Sequence, residues 1–219
     1  MTTESTTSKN FESLIAGIDL IDLHARVVET SVEVASHVTP ADLTQPTPCA
    51  GWTLDDLLAH MIAQHYGFAA AARGVGDRER WHPRPLGPDP AADYRAAAEH
   101  VLTAFAEPDV LDRNFPLPEF TTAFEFPGAQ AVTFHFIDYV VHSWDVARTL
   151  GATVTFDDEI LKLALPVARF VPDDKSRTVP GAAFAPSVAW SGDSTLDAVL
   201  ALLGRCPDWR PAHPETSVR

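Results

Sequence analysis

A chain of 219 residues with a 46% apolar fraction carries enough aliphatic and aromatic surface for one core of domain size, which excludes disorder outside its ends. Thirty acidic residues against 16 basic ones leave a formal charge of −14, which repels phosphate backbones and anionic membrane surfaces and disfavours nucleic-acid partners. Two cysteines, Cys49 and Cys206, are too few for a disulfide framework or a thiolate zinc site, so any metal would rest on histidines and carboxylates.

The opening MTTESTTSKN lacks the basic flank and apolar run of a signal peptide, and no later stretch approaches the ~20 apolar residues that span a bilayer. The expectation is a cytoplasmic protein with no membrane partner and a disordered segment over residues 1–10. Phe11, Leu14, Ile15, Ile18, Ile21, Val28 and Val32 then recur at helical spacings and predict one long helix ending near His37, with Pro40 as its stop. TQPTPCAGW, residues 44–52, reads as an irregular connection.

Thr53 with Asp56 three residues on is a capping box, and the stripe Leu54, Leu57, Leu58, Met61, Ile62 and Phe68 predicts a second helix to about Gly74. A surface loop follows to Asp89, which caps a third helix with Pro90 at its first position and Tyr94, Val101, Leu102 and Phe105 inward. Glu107 and Pro108 end it. The alternation Val110, Phe115, Phe120, Phe124, Phe126 predicts a loop or short hairpin, and residues 129–150 a strongly apolar fourth helix closed by Gly151. Two further helices are expected after Asp157 or Asp158 and after Ser194, the second closed by Gly204. The domain reading is a four-helix bundle over residues 11–151 with a C-terminal helical extension over 152–212.

The fourth helix carries HFIDYVVHSWD, in which Asp138 and His142 stand one turn apart. Residues at that spacing share a face with Cβ atoms about 5–6 Å apart, close enough for a carboxylate and an imidazole to converge on one cation. A third ligand must come from another helix, and His60, beside the apolar stripe of the second helix, is the best candidate. On spacing alone, a hydrogen-bonded Asp138–His142 pair and a core His60 are the favoured explanation of the pattern.

The strings TPCAGWTLDDLLAH (residues 47–60), DYVVHSWDVARTLG (138–151) and LLGRCPDW (202–209) resemble the DinB-like (YfiT-like) metal-binding family related to the N-terminal domain of mycothiol-dependent maleylpyruvate isomerase. The resemblance implies an all-α four-helix bundle holding one divalent metal through His60, Asp138 and His142. Zinc is the first choice, with nickel or iron as alternatives. The isomerase itself carries Glu where this chain has Asp138, which places the present sequence nearer the generic metal-binding branch. The resemblance further implies mycothiol or a similar low-molecular-weight thiol as cosubstrate, a small electrophile as substrate, and S-transfer or isomerisation as the reaction. Thiol-independent metal-assisted hydrolysis or lyase chemistry, and a non-catalytic metal-stabilised binding protein, stand as alternatives, and a homodimer is compatible with each.

Other polar residues near these strings carry weaker expectations. His135, one turn before Asp138, is an outer partner or a structural histidine sooner than a fourth ligand, and Gln64 orients a ligand or fills a bundle crossing. Trp144 and Asp145 are turned off the ligand face by about 100 degrees per residue and are expected to pack or bond between helices. Arg148 and Arg205 are read as complements to helix C-termini, and Cys49 as a buried, inert thiol with no histidine nearby.

Overall fold

The computed structural model describes residues 11, 13–179 and 181–211, so the expectation for the first ten residues lies outside it. Four helices build the bundle: α1 (Leu20–Ala35), α2 (Leu54–Ala72), α3 (Pro90–Phe105) and α4 (Gly128–Thr149). Two shorter ones follow, α5 (Asp158–Phe170) and α6 (Thr195–Leu202). The all-α architecture expected from the sequence is what the chain adopts. Among the described residues, no helix is long and apolar enough to cross a membrane.

Side-chain pairs between helices give their directions. His60 meets His142 and His65 meets His135, so α2 and α4 are antiparallel. His24 meets Phe105 and Ser31 meets Tyr94, so α1 and α3 are antiparallel. His65 touches Tyr94 and Arg73 binds Glu107, so α2 and α3 run the same way. The order is therefore up, down, down, up, and the connection between α2 and α3 must travel back along the bundle. A single turn of 3-10 helix, Arg78–Trp81, interrupts that crossover, and its Trp81 is buried against Gly67, where an added Cβ would come within 2.4 Å of the indole.

Caps set the helix ends as the sequence predicts. Thr53 and Asp56 form the reciprocal capping box of α2, Asp89 caps α3 through Ala92 N–H with Pro90 in the first turn, and Gly151 closes α4 at φ 70°. The predicted hairpin is a minimal one: β1 (Asn114–Phe115) pairs antiparallel with β2 (Phe126–Pro127), two residues each.

One expectation is corrected. The helix predicted from Phe11 to His37 is broken at Gly17, whose φ of 76° cannot continue a right-handed helix, and Asp19 starts α1 by accepting from Asp22 N–H. The apolar period persists across the break because both segments pack on the same core, which is why periodicity alone reads through it.

Arginines tie the C-terminal segment together and join it to the bundle. Arg177 donates to the carbonyls of Pro172, Val171, Ala185 and Leu202, which ties the loops after α5 to the end of α6. Arg148, expected to serve the α4 C-terminus, donates instead to Pro207 O at 3.1 Å while lying over the Trp144 ring. The chain after α6 is thereby brought back alongside α4.

Candidate metal centre

His60, from the middle of α2, and Asp138 and His142, one turn apart on α4, present one ligand atom each within 4.8 Å of one another. His142 Nε2 lies 3.3 Å from Asp138 Oδ1, and the His60 and His142 rings meet edge to face at 5.4 Å. Bonds of about 2.0–2.2 Å to a tetrahedral ion set neighbouring donors roughly 3.3–3.6 Å apart, so the α4 pair already stands at that spacing, and His60 lies within 4.8 Å of both. His142 is 3% exposed, whereas the Asp138 side chain is 19% exposed and His60 is half-buried. The far side of the trio faces α4, and its near side reaches solvent. Trp52, just before the α2 cap, lies over His60 with ring centroids 5.0 Å apart.

The other nitrogen of His142 is engaged as well. Nδ1 lies 2.9 Å from Asp145 Oδ2, one turn further along α4, which leaves Nε2 as the nitrogen aimed at Asp138. A carboxylate on the remote nitrogen fixes ring orientation and raises the basicity of the free one, the usual second partner of a metal-bound histidine. Asp145 is itself fully buried and receives a two-pronged ion pair from Arg205, with Nε at 2.9 Å from Oδ1 and Nη2 at 2.9 Å from Oδ2. Cys49 completes the group: its thiol donates to Asp145 Oδ2 at 3.2 Å, accepts from Arg205 Nη2 at 3.1 Å, and lies 4.0 Å from His142 Nδ1.

Three expectations change here. Cys49, read as having no histidine nearby, touches His142 because the 44–52 connection folds under α4. Arg205 does not complement a helix end but reaches Asp145 across 60 positions. Asp145 does bond between elements as expected, yet its first partner is His142. The spacing His142 to Asp145, three residues on a helix, was the available signal for that contact.

The electrostatics follow from these partners. Burial by itself pushes the His142 imidazole down, but Asp138 and Asp145 on its two nitrogens outweigh that and hold it well above the usual histidine range. Burial pushes Asp145 up, and Arg205 with His142 overcomes it, leaving the carboxyl at about 2. Asp138 resists its burial through His142 and His60 and stays below the ordinary range. His60 is lowered to about 4 by burial and by His142, so its ring is neutral and able to coordinate. Burial and the Asp145 charge push the Cys49 thiol up, which keeps it protonated.

Mycothiol maleylpyruvate isomerase N-terminal domains match residues 24–147, more than half of the chain. The chain belongs to this family. The matched span contains all three candidate ligands and Asp145 and stops short of Arg205. Two uncharacterized proteins from two strains of Mycobacterium tuberculosis are each 28% identical over 194 residues, covering 86% of this chain and 98% of their own. Among solved structures, the crystal structure of the mycothiol-dependent maleylpyruvate isomerase is similar with a TM-score of 0.58 at 17% identity, covering 87% of this chain and 90% of that one. At that identity the likeness shows a shared fold.

The remaining residues singled out in the sequence fall outside the trio. Gln64, one turn after His60, donates to Glu119 Oε2 at 2.7 Å and so tethers the loop before β2 to α2. His135 lies outside the candidate trio. It sits between His24 and His65, with Nδ1 2.8 Å from His24 Nε2 and Nε2 3.3 Å from His65 Nδ1, and stacks on Tyr139 at 4.1 Å. Neither flanking histidine was singled out in the sequence, because each lies on a different helix and only packing assembles them.

Proposed function

We propose that His60, Asp138 and His142 hold one divalent cation, zinc by preference for this nitrogen and oxygen set, and that the chain uses it to activate a low-molecular-weight thiol for reaction with a small electrophile. The observation that carries this is the pairing of a solvent-reaching trio of donors with a buried Asp145 on the remote nitrogen of His142. Three protein ligands leave a coordination position for an outside group, as catalytic rather than structural sites do. Family membership supports mycothiol as the thiol, since the named relative is mycothiol-dependent.

A divalent ion at that point supplies a Lewis acid that lowers the pKa of a coordinated thiol. The chain's own residues do the rest. Asp145 holds the His142 ring with Nε2 outward, and Arg205 neutralises the Asp145 charge that would otherwise be stranded in the core. Asp138, reached by solvent, brings a negative charge opposite His60, and Trp52 shields the His60 ring from water on one side. In the reaction the thiol gives its proton to solvent and its sulfur forms a C–S bond to an electrophilic carbon, which expels a leaving group with the bonding pair in S-transfer or opens a C=C π bond in an isomerisation. In the isomerisation the C–S bond then breaks, the double bond re-forms after rotation, and the thiolate is returned.

Elemental analysis of the purified protein, together with the His142→Ala variant, tests the site: about one divalent ion per chain is expected in the parent and a small fraction of that in the variant. Calorimetric titration of the zinc-loaded protein with mycothiol tests the thiol. Bound metal with no thiol binding, and turnover of esters or amides without thiol, would move the assignment to hydrolysis.

A further inference from the structure

The segment between the two strands spans the two helices that carry the candidate ligands. On the α2 side Glu119 is held by Gln64, one turn after His60. On the α4 side Phe120 stacks on Phe134, one turn before Asp138, with centroids 5.4 Å apart and planes 21° from parallel. Because α2 and α4 are antiparallel, a step forward from His60 and a step back from Asp138 lead toward the same end of the cleft. Residues one turn apart on a helix lie about 5–6 Å from each other, so both anchors adjoin the ligand trio.

The phenylalanines there are not used up by the core. Phe126 packs edge-on against both Phe120 and Phe134, yet Phe120 is 49% exposed and Phe124, beside Phe126, is 61% exposed. An exposed aromatic patch of this kind marks a binding surface more often than a solvent-facing accident. Next to it, Glu119, held by Gln64, brings a carboxylate of its own to this end, so a substrate carboxylate placed there meets a like charge.

We propose that this end of the cleft is the electrophile subsite, and that it takes a substrate bearing an uncharged, apolar group of aromatic size, packed on Phe120 and Phe134, in preference to a carboxylate. The inference rests on the thiol reading above and adds the class of electrophile. It sets this chain apart from a relative named for maleylpyruvate, a dicarboxylate.

Three calorimetric titrations of the zinc-loaded protein separate the two readings: free mycothiol, its S-benzyl conjugate and its S-carboxymethyl conjugate. The S-benzyl conjugate should bind about tenfold or more tightly than the S-carboxymethyl one, the gain expected for burying a phenyl ring. Phe120→Ala, at a half-exposed position, and Phe134→Leu should each remove most of that preference and leave free mycothiol binding unchanged. Mycothiol binding with equal affinity for both conjugates overturns the subsite and spares the thiol reading. Should none of the three bind, the thiol reading falls, and the subsite is then judged by saturation-transfer NMR with benzyl alcohol: a signal lost in Phe120→Ala upholds it, and no signal overturns it. A dimer in sedimentation that Phe120→Ala dissolves, with the conjugate preference unchanged, assigns the patch to a second copy of the chain and overturns it as well.

Discussion

Two groups of three polar side chains lie in this bundle, one between α2 and α4 and one among α1, α2 and α4, and they behave in opposite ways. His60, Asp138 and His142 include a carboxylate, gain a second one in Asp145 and reach solvent on one side. His24, His65 and His135 have only one another, pack among Phe105, Phe68, Tyr94 and Tyr139, and are essentially unexposed. Burial pushes all three of the second group down, His24 to about 3, because no anion repays the desolvation of an imidazolium. His142 is as deeply buried, and its two carboxylates reverse the sign. What separates a centre that attracts a cation from one that stays neutral is the carboxylate, not the number of histidines.

The neutral group also leaves a remainder. Each neutral imidazole has one N–H and one lone pair, so a row of three can satisfy its two inner contacts and must leave one donor at one end and one acceptor at the other. His24 Nδ1 and His65 Nε2 are those ends, both buried without a partner among the described residues. The group is therefore held by the packing around it rather than by complete hydrogen bonding.

The largest test of the contrast is to remove one histidine from each group. His142→Ala should abolish stoichiometric metal in elemental analysis, whereas His135→Phe should leave metal content near that of the parent; equal losses would erase the distinction. Next in size, Arg205→Ala leaves the Asp145 carboxylate buried with His142 as its sole charged partner. Breaking a buried pair from one side costs about 3–5 kcal/mol, which urea denaturation would register and which would show that the charged group depends on the C-terminal segment.

Acid should act on the neutral group. Its folded pKa values lie below the unfolded value of about 6.5, so the unfolded chain binds more protons and stability is complete above that pH and lost as pH falls below it. Each histidine contributes about 1.4 kcal/mol per pH unit, so three together give up to about 4 kcal/mol between pH 6 and pH 5. Unfolding free energies measured at pH 7, 6 and 5 should decline accordingly, and a flat profile would mean that the three rings are not held neutral. The smallest effect on metal is expected from Asp145→Asn, which keeps the shape but weakens the hold on His142 Nδ1. Metal affinity by competition with a chelator should drop about 10- to 100-fold, and the melting temperature should fall as well, because Arg205 is left buried without its carboxylate.

Much of this molecule is legible along the chain because its cues are local. Thr53 with Asp56, Asp89 with Pro90, and Gly151 mark helix ends through bonds made within a few residues, and the structure places those ends where these residues stand. Asp138 and His142 share a helix face by spacing alone. Gly17 shows the limit of such reading, since an apolar period carried on both sides of it hides a break that a single positive φ creates.

The partner of that pair and everything behind it belong to tertiary structure. His60 lies 78 positions from Asp138, and Cys49 lies 156 positions from the Arg205 that contacts it, distances over which no periodicity carries information. The sequence by itself determined which helices form, where they stop and which two residues share a face, because backbone hydrogen bonds and caps act over one turn. Only the packing of α1, α2, α4 and the C-terminal segment decided which histidines stand beside a carboxylate and which stand alone. Burial and opposing charge take effect over a few ångströms of space, whatever the separation along the chain.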